Sequence, residues 1–368
     1  MDIVQLNEIL AIRSHLHKLV DSGRMPHALL LSERASYGAL QLAMDLASYL
    51  LDNDIKAQRL VHPDLHFVFP VNLSTQFKDV KRDKLVMDEF YKSFRELYAS
   101  NPFFSENELY DALSLDGRMG NITVTECSNL MRKLSMTAFL GDVKVALILF
   151  PERINEVASN KLLKTLEEPN PGTYIIMVTR SKERILPTIL SRCSILEVPP
   201  AGTEEIASLL EKNYEVDTPT AMVLARKSAG SWGEARQLAL EWKKEGAAEN
   251  EHRSIFLRLL QNGIRKDLVT MQTEWPAIAS MNKEEQKAFC ICALDTLRSI
   301  YMIKQGMDDL SYVLPEHLSG LRLYAQNLKP EFYQKAYDFF TQAIVHINAN
   351  VNAKFIFCDI CSRIYHFA

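Results

Sequence analysis

Between residues 27 and 198, short apolar runs alternate with longer stretches whose apolar positions recur three and four residues apart. His27-Ala28-Leu29-Leu30-Leu31, His66-Phe67-Val68-Phe69-Pro70, Val143 to Phe150, Thr173 to Thr179 and Ile195-Leu196-Glu197-Val198 read as strands. The run Thr173-Tyr174-Ile175-Ile176-Met177-Val178-Thr179 is apolar on both faces, as a central parallel strand must be when helices cover it from both sides. Helical spacing predicts α-helices from Gln5 to Ser22, from Leu40 to Leu51, from about Thr125 to Met136 and through Leu162, Leu163 and Leu166. Pro169, Pro171 and Gly172 stop the last of these. A loop is expected at Asp116-Gly117-Arg118-Met119-Gly120. Strands alternating with helices at this spacing predict a doubly wound α/β sheet, its helices on both faces.

Pro199-Pro200-Ala201-Gly202 closes that layer, so a first domain is expected over 1–199. Helical patterns follow from Glu204 to Asn213, Pro219 to Ser228 and Glu234 to Lys244, the third opened by Gly230-Ser231-Trp232-Gly233, and predict a small helical lid over 200–245. From about Ala247 the chain is helical almost throughout, which predicts an all-α domain over 246–368. There Tyr337, Phe340 and Ile344 recur at helical spacing and read as an apolar face for assembly. No inward Glu-x-x-His pattern points to a ligand-binding bundle.

At 368 residues the chain exceeds one ordinary core. A net charge of -4 argues against a surface that coats nucleic acid as a whole, and no apolar run approaches the roughly 20 residues that span a bilayer. The N-terminus lacks a signal-peptide layout, so a cytoplasmic protein with no membrane partner is expected. Cys290 with Cys292 and Cys358 with Cys361 are close pairs that could hold zinc, but the apolar helical setting of FIFCDICSRIYHF favours small core residues. Strand alternation would put His62, Asp64 and His66 on one face, so a metal-dependent enzyme is a distant alternative. The plainer reading is a loop capped by Asp64 entering a strand.

Two motifs carry more. LLKTLEEP, within residues 162–169, and Ser191-Arg192-Cys193 resemble the family marks of the AAA+ subunits of bacterial clamp loaders. The resemblance covers about the first 240 residues by motif and the rest by helical character. It implies a RecA-like AAA+ domain, a helical lid and a collar that joins each subunit to a ring. It also implies that Arg192 acts as an arginine finger on ATP held by the neighbouring subunit, a task suited to a planar, always-charged guanidinium. Cys193 reads as a packing residue, and Lys161 and Lys164 beside Glu167 and Glu168 as a solvated helix face.

The nucleotide motifs of that family are degenerate here. Laid on GxxxxGK[ST], the stretch from Glu33 to Leu40 keeps only Gly38, with Glu33 at the first glycine, Ala39 at the lysine and Leu40 at the magnesium-binding hydroxyl. Leu149 and Phe150 stand where the acidic Walker B pair belongs, and Pro151 separates Glu152 from that place. Neither Gly233 nor Glu234 can act as a sensor arginine, although Arg236 is near. The residues from Leu51 to Val61 hold none of the cysteines of the family's zinc module. The expectation is therefore a non-hydrolysing clamp-loader subunit with no cofactor and no ATPase of its own, a component of a DNA-directed DNA polymerase. Its implied partners are motor subunits of the gamma or tau kind, a delta subunit, and through the complex the sliding clamp and primed DNA. An active clamp-loading or remodelling AAA+ ATPase is the alternative.

Overall fold

The computed structural model describes residues 5–72, 87–115, 118–245, 251–313 and 315–368. Asp116 and Gly117 of the expected loop and Ala247 at the expected start of the C-terminal helices lie outside them. The chain forms two compact units, Met1–Asn213 with Ser228–Gln237, and Tyr214–Lys227 with Leu238–Ala368.

The first unit is built on a five-stranded sheet in the order β2-β3-β4-β1-β5. Its strands are β1 (Ala28–Ser32), β2 (Leu65–Val68), β3 (Lys144–Leu149), β4 (Thr173–Thr179) and β5 (Ser194–Glu197). Every ladder is parallel: Leu30 faces Met177 on one side and Ile195 on the other, and Ala146 faces His66 and Ile175. Parallel neighbours need crossovers, which the helices supply. Those between strands are α2 (Ala39–Leu50), α3 (Ile55–Gln58), α4 (Tyr91–Ser100), α5 (Glu106–Ala112), α6 (Val124–Ser135), α7 (Glu156–Glu167) and α8 (Pro187–Leu190), with α1 (Asn7–Asp21) before the first strand and α9 (Thr203–Tyr214) after the last. This is the RecA-like α/β arrangement expected of an AAA+ domain. All of β1 and β3 are buried. Leu130 and Leu134 of α6 and Leu162 and Leu166 of α7 close over Ile148, Ile175 and Met177 on one face. At roughly 1.5–3 kcal/mol for each fully buried large aliphatic side chain, this layer fixes where the strand ends point.

Two sequence expectations change here. Ile195 to Val198 reads as a buried strand, yet β5 sits at the sheet edge with Ser194 and Glu197 exposed and Ile195 44% exposed. It pairs only with β1 among the described residues. His62 and Asp64 are in a turn before β2, not on a strand, so alternation does not align them with His66.

The second unit holds α10 (Thr218–Lys227), the end of α11 (Trp232–Glu245), α12 (Glu251–Arg265), α13 (Leu268–Ser280), α14 (Lys283–Lys304), α15 (Pro315–Asn327), α16 (Pro330–Asn348) and α17 (Ala353–Phe367). Capping is explicit at α14, where Asn282 accepts from the Glu285 amide and Glu285 returns the bond to Asn282. Phe256, Phe289, Phe332, Phe340 and Phe357 are fully buried. The expected assembly face of Tyr337, Phe340 and Ile344 is therefore split. Phe340 is core, Ile344 is partly buried against it, and Tyr337 is exposed. Cys290 and Cys361 are buried, whereas Cys358 is exposed.

Candidate functional site

In a parallel sheet with crossover helices, sites lie at the carboxyl ends of the strands. Here β1, β3 and β4 end together there. β1 passes into residues 33–38 and then α2, whose first amides have no partner within the helix. Glu33, 4% exposed, supplies one: its Oε2 accepts from the amides of Tyr37 at 3.0 Å, Gly38 at 3.0 Å and Ala39 at 2.8 Å. Gly38 has φ of 128°, and a Cβ on it would sit 3.1 Å from Ile9 Cδ1, so the turn needs a glycine. A carboxylate thus fills the kind of amide cradle that binds phosphate at a helix start.

The cation in this site comes from the end of β4. Arg180 Nε donates to Glu33 Oε1 at 3.3 Å, and its Nη2 donates to Ser36 Oγ at 2.6 Å and to the Phe104 carbonyl at 3.0 Å. Burial pushes the Glu33 carboxyl above the ordinary carboxylate range, opposed by Arg180 and by the amides of Ala39 and Gly38. The start of α11 closes the same loop: the Gly233 amide and Ser231 Oγ both donate to the Ser36 carbonyl, at 3.1 and 3.2 Å. A Cβ at Gly233 would come within 2.4 Å of Ser36 Cβ and 2.9 Å of Phe103 Cβ, so only glycine permits this approach. Arg236 is turned to Asn101 Oδ1 and the Ser100 carbonyl, both at 2.9 Å.

Ala39 and Leu40, buried at the first turn of α2, offer neither cation nor hydroxyl. Leu40, Phe104, Leu149, Phe150 and Val178, together with Thr179 and the Glu33–Arg180 pair, line a cavity of about 20 Å³, room for one water. Phe150 adopts the left-handed conformation (φ 55°, ψ 55°), unusual for an aromatic residue, and hands the chain to the turn Pro151–Arg153. Glu152 does not restore the missing acid. Its Oε2 accepts from Thr179 Oγ1 at 2.8 Å, and burial raises its pKa.

The SRC triplet after α8 is a separate place: it precedes β5 and so lies at the amino ends of the parallel strands, not at the carboxyl ends where Glu33 and Arg180 meet. Arg192 is held at the surface: Nε donates to Glu167 Oε1 at 2.6 Å, and Nη1 donates to the Thr188 carbonyl at 2.8 Å and to Ser191 Oγ at 3.2 Å. Glu167 ends α7, so the two motifs of the sequence resemblance touch each other. Ser191 is exposed. Cys193 donates to the Ile189 carbonyl at 3.1 Å, and burial pushes its thiol up to about 11, the setting of an inert packing cysteine.

His62, Asp64 and His66 have other employment. Both Asp64 carboxylate oxygens accept backbone amides, from Phe139 and Leu140 at 2.7 Å each, and His62 Nδ1 accepts the Asp64 amide at 3.1 Å. Among the described residues no three His, Cys, Asp or Glu side chains are grouped to hold a metal ion. His66 instead reports on folding. Burial, helped by Lys133, lowers its pKa from 6.5 to about 4, so the folded unit favours the neutral ring while the unfolded chain takes up a proton below pH 6.5. Stability is expected to fall by on the order of 3 kcal/mol as pH drops from about 6.5 to 4, and His66→Gln should flatten this slope in denaturant titrations at pH 7, 6 and 5. An unchanged slope in the variant would assign the acid sensitivity elsewhere.

Sequence reasoning missed Arg180 and read Glu167 only as part of a solvated helix face, where it in fact pairs with Arg192. Arg180 had a signal, since it directly follows a central parallel strand, at the end where sites form. Glu167 had none beyond its motif, because its partner lies 25 residues away.

Residues 10–202 match the family described as DNA polymerase III, delta subunit. The chain is 31% identical over 129 residues to DNA polymerase III subunit delta' of Escherichia coli, covering 35% of this chain and 39% of that protein. It is 35% identical over 163 residues to the same-named subunit of Haemophilus influenzae, covering 42% and 45%. The matched stretches therefore span under half the length of these relatives. A DNA polymerase III gamma subunit-related protein from Thermotoga maritima aligns over 98% of this chain and 99% of its own, at 15% identity and a TM-score of 0.39.

Proposed function

The chain belongs to the family described as DNA polymerase III, delta subunit, as a clamp-loader subunit of the delta prime type, and from that premise we propose that it supports loading of the sliding clamp onto primed DNA without hydrolysing ATP itself. The observation that carries the non-hydrolysing part is the apolar set Leu40, Leu149 and Phe150 around the 20 Å³ cavity. Phosphoryl transfer rests on charge placed against the phosphates by lysine, magnesium and the acids that hold it, whereas the charged groups lining this cavity, Glu33 and Arg180, are paired with each other. Arg192 acts in trans, its guanidinium entering the ATP site of an adjacent motor subunit and offsetting charge on the γ-phosphate as it leaves. Its surface position and its hold by a single carboxylate side chain support that role, because the exchange of one exposed ion pair for another costs little. Residues 200–245, which the two compact units share, serve as a lid, and the helices that follow join the chain to gamma or tau motor subunits and to a delta subunit, with clamp and DNA contacted through the complex. No described helix is long and apolar enough to cross a membrane, and we place the subunit in the cytoplasm.

Calorimetric titration of the purified chain with Mg-ATP tests the reading and should be flat, while mixing with motor and delta subunits should give a complex of defined mass. Micromolar nucleotide binding with turnover by the chain alone would sink it in favour of an active AAA+ ATPase.

A further inference from the structure

We propose that Glu33 is a built-in anion that keeps the nucleotide-type site of this chain permanently in its closed arrangement. This deepens the reading of a subunit that does not use ATP, but it stands on a separate observation. The loop at residues 33–39 and three segments distant in sequence meet here. The loop brings the Tyr37, Gly38 and Ala39 amides at the start of α2, and the three segments are the end of β4 through Arg180, the Phe104 carbonyl, and the start of α11 through Ser231 and Gly233.

Three converging amides and a guanidinium form a positive concavity that is costly to leave empty in a buried place. Exchangeable phosphate can fill such a concavity, in which case the segments close and open with ligand. Here the filling group is tethered to the chain, five residues before Gly38, and cannot leave. The Gly233 approach, which tolerates no Cβ, depends on Ser36 staying where Arg180 and the Glu33-capped turn hold it. A carboxylate at position 33 therefore does two things. It blocks the place of a phosphate, and it supplies the charge that keeps the loop, the end of β4 and the first turn of α11 together.

The prediction is chemical rescue. Glu33→Ala should lower the thermal midpoint of the isolated chain by several degrees, and inorganic phosphate should recover at least half of that loss, whereas chloride at equal ionic strength should not. Wild type and Glu33→Gln, whose side chain still fills the cradle, should ignore phosphate. Glu33→Ala combined with Arg180→Ala should lose the rescue. If Glu33→Ala is soluble only when prepared in phosphate, the proposal is supported; if it is insoluble in phosphate and chloride alike, or if phosphate and chloride act equally on it, Glu33 is an ordinary helix cap and the proposal falls. The outcome is separable from the functional reading, because a chain that shows no rescue yet gives a flat Mg-ATP titration overturns the first and leaves the second intact.

Discussion

Arg192→Ala, reconstituted with its partner subunits at equal composition, should lower DNA-stimulated ATP hydrolysis and clamp loading together. An arginine finger is worth on the order of 10³ or more in rate at the site it serves, and the total falls by less because the other ATP sites of the complex still turn over. Assembly and stability should be nearly untouched. Arg192 and Glu167 are 31% and 49% exposed, and an ion pair this open contributes about 1 kcal/mol or less to folding. Arg192→Lys should restore only part of the rate, because an ammonium lacks the planar fork. Glu167→Ala gives the necessary contrast: it breaks the same ion pair but keeps the guanidinium, so its ATPase should stay near wild type. Equal rates for wild-type and Arg192→Ala complexes would reduce Arg192 to a surface residue. Equal losses in Arg192→Ala and Glu167→Ala would make the ion pair, not a finger, the working unit.

The α/β layer was readable because its signals are local. A run such as Thr173 to Thr179 has no other stable use than a strand covered on both faces, and the structure keeps those bounds unchanged. The empty places of the nucleotide motifs were equally local, since a missing lysine at Ala39 or a missing acid at Leu149 can be read residue by residue. What fills a vacant place is not local. Glu33 could be seen as a wrong residue at a glycine position, but its role needs Arg180, which lies 147 positions away and arrives only when β4 pairs with β1. The same holds for Gly233, whose lack of a side chain looks like a lost sensor in the sequence and is, in the fold, the condition for contact with Ser36. The misplaced readings share a cause too. His62, Asp64 and His66 looked aligned because a strand was extended backwards into a turn, and β5 looked buried because an apolar run does not say how many neighbours a strand will have.

The C-terminal helices show the same limit at higher cost, and they yield the second large effect. Tyr337 and Phe340 lie three residues apart on α16, and helical spacing alone assigns them to one face. In the fold Phe340 is fully buried, meeting Phe256 edge-on with centroids 5.5 Å apart and Phe339 at 5.0 Å, while Tyr337 is 59% exposed. Phe340→Ala should therefore destabilise the second unit by about 3–5 kcal/mol, the range for emptying a buried aromatic site, with loss of the aromatic pairing included. Tyr337→Ala should change stability by less than about 0.5 kcal/mol, as surface substitutions do. Chemical denaturation of the two variants followed by far-ultraviolet circular dichroism separates them. Association should order them the other way. With Val345, 60% exposed on the same helix, Tyr337 offers apolar surface to a partner, so the folded Tyr337→Ala/Val345→Ala chain should co-purify less well with motor subunits. If Phe340→Ala unfolds at the wild-type denaturant midpoint, the buried aromatic cluster does not hold this unit together. If Tyr337→Ala/Val345→Ala assembles fully, the partner surface lies elsewhere on the unit.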